Sequence, residues 1–300
     1  MATLTAGDLH FPTDVADGIV EKAKTGSTIA ALSGQEPMRF GNVDIITFDD
    51  DLTAEFIEES GAKGADDAKP AYVTAAPHKA VVQMRTSNEF QWADEEYRLG
   101  ILNRFADKCS LALARALDLG VYYRTNPRTG TEVATWTNYV NTTTKRVESG
   151  ANADLDFEAA AGLVIGAGYG VNGVAFDPQH AWTLSTARYT DGRKKFPELG
   201  LGGGITNFQG VNAAVSTTVS GKPTDGSTAD NKVRAIVGNF QSGIRWGVQR
   251  QFPFRVLEFG DPDNTGRDLA GHNEVLLRAE VVYGWYAFAD QFAVIEDLVA

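Results

Sequence analysis

Between Phe176 and Arg193 the chain reads Phe-Asp-Pro-Gln-His-Ala-Trp-Thr-Leu-Ser-Thr-Ala-Arg-Tyr-Thr-Asp-Gly-Arg. This run constrains the fold more than any other segment, because it joins a strand end to a helix cap and closes on an Asp-Gly turn. Asp177 is a good N-cap, and Pro178 suits the first helical position, where its missing N–H is not needed. A short helix therefore begins there. No catalytic group stands between cap and turn, so the segment reads as scaffold.

A longer helix is expected over 94–119. Asp94, Glu95 and Glu96 sit at its start, where the dipole favours acids, and Gly120 lies just past its end. Leu99, Leu102, Ala106, Cys109, Leu113, Ala116 and Leu117 fall on one face at helical spacing and are read as core. Arg104, Lys108 and Arg115 form a basic stripe on the roughly opposite side. Taken alone, such a stripe is a solvated face.

Residues 1–41 lack regular pattern and contain Gly, Ser, Thr and Pro, as in an arm that gains its order from contacts. Segments 43–48 and 52–58 read as extended, and 80–85 alternates Val82 and Met84 with Gln83 and Arg85. Between them, 60–70 is a polar tip with too little apolar surface to offset the entropy of ordering. By itself it is a mobile surface loop; a two-stranded hairpin is marginal without support from a neighbour. The hairpin is acidic, carrying Glu55, Glu58, Glu59, Asp66 and Asp67. Residues 121–153 read as turns and irregular hairpins, with a boundary at 150–153. A second helix follows from 154 to about 165, then strand, helix and strands to about 240, with 216–231 as an exposed polar loop. Long strands are expected at 247–259 and 275–283, the latter alternating Leu277, Ala279, Val281 and Tyr283 with Arg278, Glu280 and Val282.

Motifs that carry chemistry were tested against their physical requirements. Gly168, Gly170 and Gly173 have the spacing of a dinucleotide-binding turn, but that turn needs a strand before it and a helix N-terminus after it. Here a helical stretch precedes and a strand follows, so the glycines are read as ending a helix. Asp261, Asp263 and Gly266 mimic a calcium loop whose twelfth position is His272 instead of a bidentate Glu; turn chemistry is the better reading. His10, His78, His180 and His272 show no zinc spacing, and Cys109 sits on an apolar helix face where an inert thiol is expected. No catalytic, cofactor or metal site is assigned.

The composition, 43% hydrophobic and 22% charged over 300 residues, is that of a folded chain. The first twenty residues carry Asp8, Asp14 and Asp17 without a basic start or apolar run, so no secretory signal is read, and no apolar run approaches the ~20 residues of a membrane span. One cysteine excludes an internal disulfide framework. A net charge of −12 argues against gripping nucleic acid, which requires clustered Lys and Arg.

The cap at Asp177, the glycines at 202–204, the β-rich run 210–216 and the strand at 232–240 come in an order that resembles the axial domain of tailed-bacteriophage major capsid proteins, the family typified by phage Hong Kong 97. The resemblance covers most of the chain. It implies an α+β fold divided into an N-terminal arm (1–41), an extended β-hairpin loop (42–86), a peripheral domain with a long spine helix (87–153), an α/β axial domain (154–244) and returning peripheral strands (245–300). It implies a structural protein, not an enzyme, with many copies assembling as hexamers and pentamers into an icosahedral shell around double-stranded DNA. The expected partners are the chain itself, a separate scaffolding protein (the segment before the first hairpin strand is short), a portal and decoration proteins. DNA would be enclosed without sequence-specific binding, no membrane would be involved, and the protein would belong to the virion capsid after assembly in the host bacterial cytoplasm. Some family members cross-link a hairpin Lys to a neighbour's Asn; Lys63, Lys69, Lys79, Asn264 and Asn273 are the residues of those types in the matching regions, and none is given that role. Intersubunit contact is expected between the acidic hairpin residues Glu55, Glu58, Glu59, Asp66 and Asp67 of one copy and the stripe Arg104, Lys108 and Arg115 of its neighbour. An encapsulin-like shell around protein cargo and a nucleotide-dependent enzyme are the alternatives.

Overall fold

A computed structural model describes residues 26–48, 54–59, 61–64, 70–92, 95–200, 204–224, 226–252 and 254–297. In chain order its elements are α1 (Thr28–Leu32), β1 (Val43–Phe48), β2 (Pro70–Ser87), α2 (Glu95–Tyr123), β3 (Arg146–Glu148), α3 (Ala153–Gly166), β4 (Gly173–Phe176), α4 (Pro178–Thr186), β5 (Asn207–Phe208), β6 (Val211–Val215), β7 (Val233–Gly238), α5 (Phe240–Gly243), β8 (Ile244–Gln251), β9 (Arg255–Leu257), β10 (Glu274–Ala287) and β11 (Phe292–Glu296). They build two sheets. One runs β1-β2-β10-β8 with β9 also on β10; the other runs β3-β11-β7-β4-β6-β5.

Alternation along the strands explains how three layers form. In the six-stranded sheet Ala175, Ile236 and Val294 join the core shared with α2, while Val174, Phe176, Ala235, Val237, Ala293 and Ile295 pack with Phe157, Ala160 and Val164 of α3 and Leu184 of α4. Leu277, Ala279, Val281 and Tyr283 of β10 bury the expected face against the same α2 core. β11, from the segment read with the return strands, pairs with β3 and β7 in the six-stranded sheet. The expected strand 247–259 is broken after Gln251 and resumes at Arg255, where the sequence places Pro253, which has no N–H for a ladder.

The long helix exceeds its expected end by a turn. Gly120 lies inside α2, and a Cβ there would stand 2.8 Å from the Trp285 ring. It is a close-packing glycine. The helix ends instead at Arg124, whose φ is 52°, with Thr125 N–H reaching back to Leu119 O at 3.1 Å. Leu102, Ala106, Cys109, Leu113 and Leu117 are buried as read, together with Phe105, which packs edge-on to Phe254. Ala116 is half-buried.

A second close approach involves β8 and β10. Gly247 and Gly284 are cross-strand partners, and a Cβ on Gly247 would lie 2.1 Å from Glu36 O, while one on Gly284 would lie 3.0 Å from Met38 Sδ. The missing side chains open a trough that takes the backbone of residues 35–38. Glu36 N–H donates to Trp246 O at 2.9 Å, and Gln249 brackets Gly41 by accepting from its N–H and donating to its carbonyl.

Two polar anchors pin these layers. Asp118 of α2 is fully buried and accepts from Ser27 Oγ, Thr28 N (3.1 Å), Thr28 Oγ1 (2.9 Å), Ile29 N (3.2 Å) and Thr218 Oγ1 (2.8 Å). Burial pushes its pKa above the ordinary carboxylate range, and the donors oppose that rise. The start of the expected exposed loop 216–231 is consequently interior: Thr218, Val219 and Ser220 are buried in a 3-10 turn. The second anchor is Arg85 at the end of β2. It donates to Asp263 Oδ2 (2.8 Å), Asp261 Oδ1 (2.7 Å), Glu274 Oε2 (2.9 Å) and Arg267 O (2.9 Å). Asp261 also accepts from the N–H groups of Thr265 (3.0 Å) and Gly266 (2.7 Å), so the calcium-like spacing is a turn closed around a guanidinium.

Replacing Asp118 with Ala leaves its donors buried without an acceptor, and the subunit is expected to lose on the order of 3 kcal/mol in denaturant unfolding; a loss below about 1 kcal/mol would show that the site is not an anchor. Bonding to Arg85 holds the Asp263 pKa at about 2, below its ordinary value of 3.8. A carboxylate depressed in the folded state gives stability that is present above its unfolded pKa and lost as pH falls through the folded one. Amide protection of the 260–268 loop is therefore expected to persist to about pH 4 and to fall toward pH 2, ahead of the α2 amides; simultaneous loss would contradict the assignment.

Candidate assembly surfaces

Among the described residues of the hairpin, 54–59 and 61–64 are exposed throughout. β1 pairs with β2 from Val43↔Ala75 to Phe48↔Pro70, and β10 pairs with β2 only from Trp285↔Ala76 to Glu274↔Ser87. The register therefore hands β2 from one partner to the other, and the 43–48/70–75 ribbon continues past the β10 ladder. On one face of the ribbon Ile46 and Tyr72 are opposite each other and both are about 60% exposed, next to Asp44 and Thr74, which are joined by a 2.8 Å hydrogen bond. Of the expected extended segment 52–58, residues 54–58 form no strand. Phe56 there is fully exposed. Apolar Phe56 and Ile57 give strand character in sequence, but no ladder partner reaches them.

At the base of the ribbon His78 lies between Trp285 and Trp136, with ring centroids 3.8 and 4.2 Å away. Burial lowers its pKa to about 4, so the ring is neutral near neutral pH and acts as a packing wedge. Lys79, next to it, pairs with Glu280 at 2.7 Å. Asn264 and Asn273 occupy left-handed turn positions, with φ 53° and 51°.

Glu55, Glu58 and Glu59 are exposed; Asp66, Asp67 and Lys69 lie outside the described residues. Glu55 spends one oxygen on the N–H of Gly64, and Glu58 accepts from Gly61 N–H through its backbone carbonyl. Arg104 and Lys108 are exposed on α2, whereas Arg115 is half-buried and engaged within its own chain. Asp107 interrupts the stripe, making it mixed in charge. Among the described residues no ion pair joins Glu55, Glu58 or Glu59 to Arg104 or Lys108 within one subunit. Sequence reasoning missed the Arg85 hub and the His78 wedge, whose partners come from distant segments and carry no local motif.

The groups tested for chemistry are occupied structurally. α3 ends at Gly166, Gly168 has φ 87°, and strand β4 begins at Gly173, so the glycine run leads into a strand and not into the helix N-terminus that a dinucleotide turn needs. Cys109 is buried, and burial pushes its thiol up to about 12. His180 is buried and stacks on Phe176. Among the described residues no cluster of three or more His, Cys, Asp or Glu stands where it could hold a metal ion, and no helix is long and apolar enough to cross a membrane.

Neither family sequence models nor curated proteins match the chain. Solved structures do. One of Mycobacterium phage Ogopogo is 40% identical, covers 91% of this chain and 92% of its own, and superposes with a TM-score of 0.80. One of Gordonia phage Cozz is 29% identical over 91% and 87% of the two chains, at 0.78. The capsid of the native GTA particle, computed with C5 symmetry, shares the fold at 17% identity over 93% and 91%, with a TM-score of 0.60. The exposed ribbon and a relative 40% identical along nearly its whole length make this chain a member of the tailed-bacteriophage major capsid protein family, a subunit that assembles with its own copies into the virion shell.

Proposed function

We propose that this subunit forms hexamers and pentamers that close an icosahedral shell around double-stranded DNA, with a mechanical and non-enzymatic role. The observation that carries this reading is the 40% identity to a phage capsid structure along 91% of the chain. The net charge of −12 supports enclosure without tight binding of the genome. Assembly takes place in the host bacterial cytoplasm with a separate scaffolding protein, and a portal and decoration proteins complete the particle; the family resemblance supports these partners. The division at 42, 87, 154 and 245 into arm, hairpin loop, peripheral and axial parts belongs to the same reading.

Within the shell, the hairpin residues Glu55, Glu58, Glu59, Asp66 and Asp67 of one copy lie across Arg104, Lys108 and Arg115 of its neighbour. Exposure of the described acids and of Arg104 and Lys108 supports this contact, and so does the ribbon's projection beyond the β10 ladder. Each exposed pair is weak and screened by salt, but a shell repeats it at every subunit.

Electron microscopy of purified particles tests the first part: closed shells that protect packaged DNA from nuclease are expected, and protein-filled shells without DNA would favour the encapsulin-like reading. For the contact, Arg104→Glu with Lys108→Glu is expected to block shells while the subunit melts normally, and adding Glu58→Lys with Glu59→Lys partly restores them. Normal assembly of the Arg104→Glu, Lys108→Glu variant would leave the stripe merely solvated.

A further inference from the structure

Helix α3 is apolar on sides that its own subunit does not cover. From Ala159 to Gly166 it has no polar side chain. Phe157, Ala160 and Val164 are used inward against the six-stranded sheet, yet Leu155, Leu163 and Ile165 remain 55%, 42% and 61% exposed. A helix that is hydrophobic all round is normally enclosed. Alongside, α4 turns Trp182 outward at 55% exposure. Exposed acids edge this face: Glu158 on α3 itself and Glu148 on β3, the strand that packs beside α3.

The chain also carries the complement to such a face. After α4, residues 187–195 fold back as a small tongue: Tyr189 N–H donates to Arg193 O and Lys195 N–H to Ala187 O, both at 2.9 Å, and Arg188 bridges Lys194. The tongue displays Tyr189 at 54% exposure with Arg188 and Arg193 exposed beside it and Lys194 half-buried. Its one acid, Asp191, is taken by Arg193 in the same turn, so the tongue is net basic on a chain of net charge −12. Its base is fixed to the start of α3 by Lys195 and Asp154 at 3.0 Å.

A ring of identical copies needs two different patches per copy that fit each other. One patch here is apolar with an acidic edge, the other aromatic and basic. We propose that within each capsomer ring the 188–194 tongue of one copy seats on the outer face of α3 of the next, Tyr189 against Ile165, with Arg188 and Lys194 toward Glu148 and Glu158. This rests on the reading of the chain as a shell subunit, and it assigns the face to a second copy instead of another virion protein.

The test uses shells of the full-length chain, assembled with the scaffolding protein where the chain alone does not close them. Hydroxyl-radical labelling of Ile165, Trp182 and Tyr189 is expected to fall several-fold on going from free subunits to shells. Under oxidation, Ile165→Cys with Tyr189→Cys is expected to give a ladder of disulfide-linked oligomers in shells and none in free subunits; the native Cys109 is buried and does not contribute. Shells with unchanged labelling and no ladder would overturn the contact alone, and protection seen only in virions with other proteins would also overturn it. If the double-cysteine variant fails to assemble, labelling of the wild-type chain decides. A wild-type chain that assembles neither alone nor with the scaffolding protein would overturn the shell reading and the contact with it.

Discussion

The carboxylate of Asp118 sets the terms on which the chain closes. A buried acceptor without donors is costly, so the middle of α2 can be interior only if other segments bring hydrogen-bond donors to it. Two of those donors, the N–H groups of Thr28 and Ile29, are themselves orphans of the first turn of α1, and Thr218 comes from the turn before β7. One group therefore satisfies a helix start, orders the 217–220 turn and fixes the register of α2 over both sheets. Tyr122 and Tyr123 extend this joint, the first toward Thr28 Oγ1 at 2.9 Å and the second toward the carbonyl of Val219.

Much of this fold was legible where one segment carries its own evidence. The Asp177-Pro178 cap produced α4 with Asp177 Oδ1 accepting from Gln179 N–H, and the alternation of Leu277 to Tyr283 produced the buried face of β10. What escaped was set by partners distant in sequence. Gly120 looks like a stop signal until Trp285 is placed beside it. β2 was read only over 80–85, because Pro77 and the alanines before it break any alternation, yet it pairs through to Pro70. The Asp261 loop was recognised as a turn, but nothing local announces the arginine that fills it. The charged stripe was visible as a pattern along α2, but the partner proposed for it lies on another copy, and one chain's periodicity does not encode such a contact.

The interior and exterior follow different rules. Inside, buried polar groups such as Asp118 and the Ser33–Trp246 pair are given partners, with Asn88 Oδ1, Arg124 Nε and His180 Nε2 the exceptions among the described residues. Outside, apolar side chains stand uncovered on the ribbon at Ile46 and Tyr72, on α3, and at Phe259 next to the Arg85-held loop. Exposed apolar surface of this extent marks contact sites. A subunit of a closed shell has solvent on only two of its sides, so the surface of a single copy is not the surface that its sequence was shaped to show.

The glycine trough formed by Gly247 and Gly284 bears on the timing of synthesis. Residues 35–38 leave the ribosome long before the bed that holds them, which is built from β8 and β10. The earlier segment thus settles after the later one. Until β10 has emerged, this stretch has no place to dock, and the nascent chain must keep it clear of the sheet edges forming behind it.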